Sequence, residues 1–172
     1  MFGTLIGVER VGQAGGATRA EIGVIHMPVL GETVYAASGL GAWYLVNGER
    51  RPARVSSTGS LANALVCTTS HEYWKRKGRE DLLLPLSRAC LRTRGWSDCY
   101  AHLLVATGRA DAVVEPGVHP WDVAATIPII REAGGRCTDW RGVETSHGGN
   151  NIASNGRIHE ELVRTLADGR GA

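Results

Sequence analysis

The stretch Glu115-Pro-Gly-Val-His-Pro-Trp-Asp122-Val-Ala-Ala-Thr-Ile-Pro-Ile-Ile-Arg-Glu-Ala-Gly-Gly135 decides the reading of this chain. The apolar run at residues 111–115 predicts a buried strand that ends on an acidic residue. A loop rich in Pro and Gly follows. Residues 120–133 predict a helix, because Pro120 suits its first position and Gly134-Gly135 its end. Asp122 then falls in the first turn, where its charge suits the positive end of the helix dipole, a purely structural role. A second role is open to it. Trp121 and the apolar face Val123, Ala124, Ile127 and Ile130 predict a turn held rigidly. A rigid carboxylate at a loop–helix junction is a good ligand for a hard cation such as Mg2+, which prefers oxygen donors.

Working outward, residues 136–140 predict a strand, Arg141-Gly142 a turn, 151–154 a short strand and 157–166 a closing helix. Upstream, Leu82, Leu83, Leu86 and Cys90 recur at helical spacing over residues 79–91, with Pro85 either in an early turn or at a kink. Residues 97–107 predict a helix opened by Ser97. Strands alternating with helices imply a layered α/β half. The first part differs. Residues 2–9, 21–27 and 32–37 are β-type runs, Pro28 to Gly31 reads as a hairpin connection, Asn47-Gly48 is a strong turn signal, and residues 64–67 form another apolar strand. The predicted class is α/β, an α+β layered sandwich. A β-rich antiparallel part (1–78) precedes an α/β/α part (79–172).

At 172 residues, 43% hydrophobic and 21% charged, the chain suits a single soluble domain with a sizeable core. A formal charge of +2 with scattered basic residues argues against nucleic acid as partner. No apolar run reaches the length of a membrane helix, and the first residues lack the basic region of a signal peptide. Cys67, Cys90, Cys99 and Cys137 are widely spaced with no CxxC pair, as expected for reduced thiols of a cytoplasmic protein.

A second constellation, Arg92-Thr-Arg-Gly95-Trp96-Ser97-Asp98-Cys-Tyr100, reads as a glycine turn into a helix N-terminus. Exposed N–H groups there suit an anion or polar substrate, and plain capping by Ser97 is the structural alternative. Thr69 and Ser70 read as strand-end hydroxyls, His119 as a helix-entry residue, His102 as a packed core residue and His147 as a loop residue.

The segment from Trp121 to Gly135 resembles the C-terminal signature of the inositol monophosphatase family. The opening F-G-T-L-I-G-V-E, the G-V-I-x-x-P segment and residues 136–140 and 152–156 fit the same family, so the likeness covers nearly the whole chain. It implies that family's fold, a Mg2+-dependent hydrolysis of small phosphate esters, and a homodimer. It makes Asp122 a metal ligand, places Glu115 on the hydroxyl or amine side of the substrate, and makes Gly95, Trp96 and Ser97 a substrate loop. R-x-x-G-W-S-D-C-Y-A-H-L-L-V-A-T-G-R-A-D resembles the histidinol-phosphate phosphatases of the family, and brings Asp98 to the substrate. Two carboxylates, Asp98 and Glu115, suit a leaving group carrying an ammonium and an imidazole better than a neutral polyol.

One departure stands out. The family's other metal ligands come from an upstream glutamate and from D-P-[IL]-D-G-T, and that motif is absent from these 172 residues. The expectation is a chain that starts just after it, with one face of its β-rich sheet uncovered. One carboxylate does not hold a Mg2+ cluster. Three readings therefore stay open: a histidinol-phosphate phosphatase, an inositol- or sugar-phosphate phosphatase, and a noncatalytic binding module.

Overall fold

In the computed structural model, which describes residues 2–12, 18–96 and 98–168, two five-stranded sheets and the helices beside them form four alternating layers. The first sheet is an antiparallel meander of β1 (Thr4–Arg10), β2 (Arg19–Met27), β3 (Glu32–Ala37), β4 (Ala42–Val46) and β5 (Glu49–Pro52), paired in chain order. The β4–β5 hairpin turns through Asn47 and Gly48, both at positive φ (52° and 78°), as a tight hairpin turn requires.

The second sheet contains β6 (Leu65–Thr68), β7 (Arg92–Arg94), β8 (Ala112–Glu115), β9 (Arg136–Thr138) and β10 (Asn151–Ser154), in the order β7-β6-β8-β10-β9. Strand β6 is parallel to both β7 and β8, and β10 is antiparallel to β8 and β9. The helices are α1 (His71–Arg76), α2 (Glu80–Ala89), α3 (Asp98–Ala106), α4 (Pro120–Val123), α5 (Thr126–Glu132) and α6 (His159–Asp168). Although β6 lies N-terminal to residue 79, both of its neighbours come from beyond it.

Sheet alternation explains the layers. Cys67, Val113 and Ala153 point from the second sheet into a core shared with α3, α5 and the first sheet. Val66, Val114 and Ile152, one residue out of phase, point into a second core with Trp74 of α1, Leu82 and Leu86 of α2 and Leu162 of α6. Strands buried on both faces read as unbroken apolar runs, which is why residues 111–115 were legible. On the far side of the first sheet, Ile6 stands opposite Val24 and Val8 opposite Ile22. Ile6, Val8, Ile22 and Leu45 are exposed there, so among the described residues this apolar face is uncovered.

Three local expectations change. The helix predicted over 120–133 is two helices, interrupted at Ala124-Ala125 although both residues keep helical angles. Pro128 has no N–H to bond the carbonyl four residues back, which is Ala124's. The junction instead lies against the first sheet, where a Cβ on Gly7 would come within 2.8 Å of Ala124 Cβ and one on Gly23 would overlap the Ala125 carbonyl oxygen. Strands β4, β5 and β7 and helix α1 are additions to the predicted elements. Trp121, expected to brace the turn, is 71% exposed and stacks on the His119 ring, with centroids 4.7 Å apart. Buried Val123, Ala125 and Ile127 hold the turn in its place. All four cysteines are buried and free. No helix among the described residues is long and apolar enough to cross a membrane.

Candidate active site

The chain leaves β6 through α1 and α2 to β7 on one side, then crosses through α3 to β8 on the other. The helices go to opposite faces of the sheet, so a crevice opens beyond the carboxyl ends of these parallel strands, the usual place for a ligand in such sheets. A cleft of about 410 Å3 lies there, and Asp98, His102, Glu115, Asp122, Thr69 and Tyr73 line it.

Each carboxylate is placed by the end of an element. Glu115 is the last residue of β8 and is buried. Asp98 opens α3 with an exposed side chain and a φ of 54°, a left-handed conformation that costs a non-glycine residue energy. Asp122 sits in the first turn of α4, half-buried, and its Oδ2 accepts the His119 backbone N–H at 2.7 Å. The capping role and the cleft-facing position thus belong to one side chain, with the second carboxylate oxygen available.

Burial pushes the Glu115 carboxyl up to about 8, and the nearby charges of Asp98 and Asp122 add to the shift. The Asp98 backbone N–H pulls weakly the other way. His102 lies one turn beyond Asp98 on α3. Its ring is buried, and burial lowers its pKa, opposed by the Asp98 carbonyl and the charges of Asp98 and Asp122. Nδ1 lies 3.0 Å from the Asp98 carbonyl oxygen, which can only accept, so Nδ1 carries the proton. Nε2 is then a lone-pair acceptor 3.8 Å from Glu115 Oε2, with no hydrogen-bond partner among the described residues. A neutral imidazole facing a proton-retaining carboxyl is a consistent pair. It also revises the expectation for His102, which is packed but forms part of the cleft.

Gly95 and Trp96 stand beside the cleft, and Ser97 lies outside the described residues. A neighbouring pocket of about 380 Å3 is lined by Phe2, Met27, Gly95, Trp96 and Tyr100 and shares Asp98 with the cleft. Trp96 meets Tyr100 edge to face at 6.2 Å. Thr69 reaches the cleft, whereas the Ser70 hydroxyl is spent accepting the Tyr73 N–H at the start of α1. His119 is the N-cap residue of α4, and His147 is a loop residue 3.7 Å from Glu9. Tyr73 was not anticipated. Its hydroxyl donates to the Gly117 carbonyl at 3.0 Å and ties α1 to the loop between Glu115 and Asp122. Only tertiary packing reveals that contact.

Among the described residues, no three His, Cys, Asp or Glu side chains come together as a metal site. Glu115 tends to keep its proton and Asp122 offers one open oxygen, so these residues alone do not fit a Mg2+ cluster.

The sequence profile of the inositol monophosphatase family matches residues 2–170. The chain belongs to this family. Among its inositol monophosphatase-family relatives, the histidinol-phosphatase of Mycobacterium tuberculosis is 39% identical over 150 residues, covering 86% of this chain and 57% of that protein. The histidinol-phosphatase of Chlorobaculum parvum is 35% identical over 170 residues, covering 98% of this chain and 62% of that one. The solved IMPase of Thermotoga maritima superposes with a TM-score of 0.73 at 34% identity, over 91% of this chain and 59% of that one. The fold is that of the inositol monophosphatase family, and the chain spans 57–62% of the length of these relatives.

Proposed function

We propose that this chain carries the substrate-facing wall of a Mg2+-dependent phosphomonoesterase that hydrolyses L-histidinol phosphate to L-histidinol and phosphate. The observation that carries the reading is the convergence of Asp98, Glu115 and Asp122 on one cleft, where burial, reinforced by the charges of Asp98 and Asp122, holds a proton on Glu115. Such a site gains most from a cationic guest, because an incoming ammonium or imidazolium favours the ionised form of Glu115. In this reading Asp122 contributes one carboxylate to the Mg2+ set, while Asp98, Glu115 and the Gly95–Ser97 loop hold the leaving group. The other metal ligands are not among the described residues, so no step of the hydrolysis is assigned to this chain alone. Buried, free cysteines suit a reducing cytoplasm, and family likeness suggests a homodimer.

A second reading, an inositol-1-phosphate phosphatase, draws support from the inositol-1-monophosphatase of Synechocystis, 36% identical over 154 residues. Asp98 separates the two. Phosphate release from both esters should be measured with and without Mg2+, on the chain and on the chain preceded by a segment bearing D-P-[IL]-D-G-T. Mg2+-dependent turnover of histidinol phosphate by the extended protein supports an enzyme. No turnover by either form leaves a binding module. In the active form, Asp98→Ala should lower kcat/KM for histidinol phosphate roughly 10- to 100-fold, the scale of a lost charge-assisted contact, and that for inositol phosphate much less. Equal losses on the two substrates would contradict the assignment.

A further inference from the structure

At the end of α3 remote from Asp98, about 13 Å along the helix by its rise per residue, a pocket of about 290 Å3 has Tyr44, Arg51, Arg54, Thr107 and Arg109 as its polar walls. Arg109 is fixed in place. Its Nε–H donates to Thr107 Oγ1 at 2.9 Å, and its two Nη groups donate to the oxygens of Glu32 at 3.2 and 2.5 Å. Three of its five N–H donors are thereby used and the fork is oriented. The Tyr44 hydroxyl donates to Glu32 at 2.7 Å, and its ring carries the Arg51 guanidinium at 5.0 Å and that of Arg109 at 5.4 Å. Arg54 spends one donor on the Ala53 carbonyl.

Glu32, paired with Arg109, is the one carboxylate within ion-pairing distance of any of these three guanidiniums among the described residues. Pairing with Glu32 accounts for Arg109. Arg51 reaches Glu32 only through its longer-range charge and Arg54 pairs with no carboxylate among the described residues, so both exposed guanidiniums keep N–H donors for an entering anion. Guanidiniums present planar donor pairs that match a phosphoryl group. A volume at the low end of ligand pockets suits one such group with little attached. We propose that this pocket binds a tetrahedral oxyanion, either inorganic phosphate or the phosphoryl group of a small monoester. The carboxylate cleft, whose own charge repels phosphate, is a separate site. Because Thr107 and Arg109 continue directly from α3, an anion held here would anchor the helix whose first turn carries Asp98 and His102.

Calorimetry and 31P NMR on the chain, at constant ionic strength in chloride, test this with orthophosphate and glycerol 3-phosphate as probes. Saturable binding is expected, weakened at least tenfold in the double variant Arg51→Ala/Arg54→Ala and unaffected by Glu115→Gln. Tighter binding of glycerol 3-phosphate assigns the organic ester, and equal binding assigns the free oxyanion. Both substituted residues are exposed, so the melting temperature should hold, and Arg51→Lys/Arg54→Lys, which keeps the charge but not the fork, should bind with intermediate strength. Binding unchanged by Arg51→Ala/Arg54→Ala, or abolished equally by added chloride, would overturn the proposal.

Discussion

Glu115 shows what a single residue contributes to this site and what it costs. Its ordinary value is 4.5, and the fold raises it to about 8. Between those values the unfolded chain is ionised while the folded one keeps the proton, so this group makes stability fall as pH rises from about 4.5 through 8. Glu115→Gln mimics the protonated form and should remove that loss. At pH 7 the variant should be more stable by on the order of 2–3 kcal/mol, and the gain should shrink toward zero near pH 4.5, as read from urea unfolding at several pH values. An equal or lower stability at pH 7 would show that the carboxyl is not held protonated. Glu115 and Asp122 stand out in the sequence because both lie in a short ordered motif, and the structure brings both to one cleft. The state of Glu115 is not legible in the sequence, because its burial and the approach of Asp98 join residues far apart in the chain. The same holds for His102: a lone histidine on an apolar helix reads as core until the fold sets its Nε2 toward Glu115.

At the scale of elements, placement of Asp122 depends on glycines a hundred residues away. Gly7 and Gly23 have no side chain where the Ala124-Ala125 junction meets β1 and β2. Gly23→Ala would drive a methyl group into the Ala125 backbone carbonyl, which cannot swing aside as a side chain could, and should destabilise the fold by about 1–3 kcal/mol while displacing α4. A melting temperature within a degree of the parent would rule out this contact as a determinant. The sequence reading recovered the strands at 32–37 and 151–154 to the residue, since alternation and apolar runs report burial directly. It missed β7, a three-residue edge strand of Arg-Thr-Arg whose pairing with β6 comes from topology and not from its own propensity. The single helix expected over 120–133 overlooked that Pro128 breaks the hydrogen-bond ladder in its middle.

Among the described residues, the two sheets are unevenly covered. The second sheet is packed on both faces, whereas the first sheet presents Ile6, Val8, Ile22 and Leu45 to solvent. An apolar sheet face of this kind favours association or dye binding. The chain should therefore enhance the fluorescence of an anilinonaphthalene sulfonate probe, and Ile6→Thr with Val8→Lys should at least halve that signal with little change in stability, since the replaced side chains are exposed. An undiminished signal would place the apolar surface elsewhere.

In the proposed reading, Asp98, Glu115 and Asp122 make the cleft a site for a cationic alcohol. Titration calorimetry of L-histidinol and myo-inositol into the chain at pH 7, repeated in buffers of different ionisation enthalpy, tests it most directly. L-Histidinol should bind at least tenfold more tightly than myo-inositol, and its binding should release a proton as Glu115 ionises, with both effects lost in Glu115→Gln. Equal affinity for the two alcohols, or histidinol binding without proton release, would contradict it.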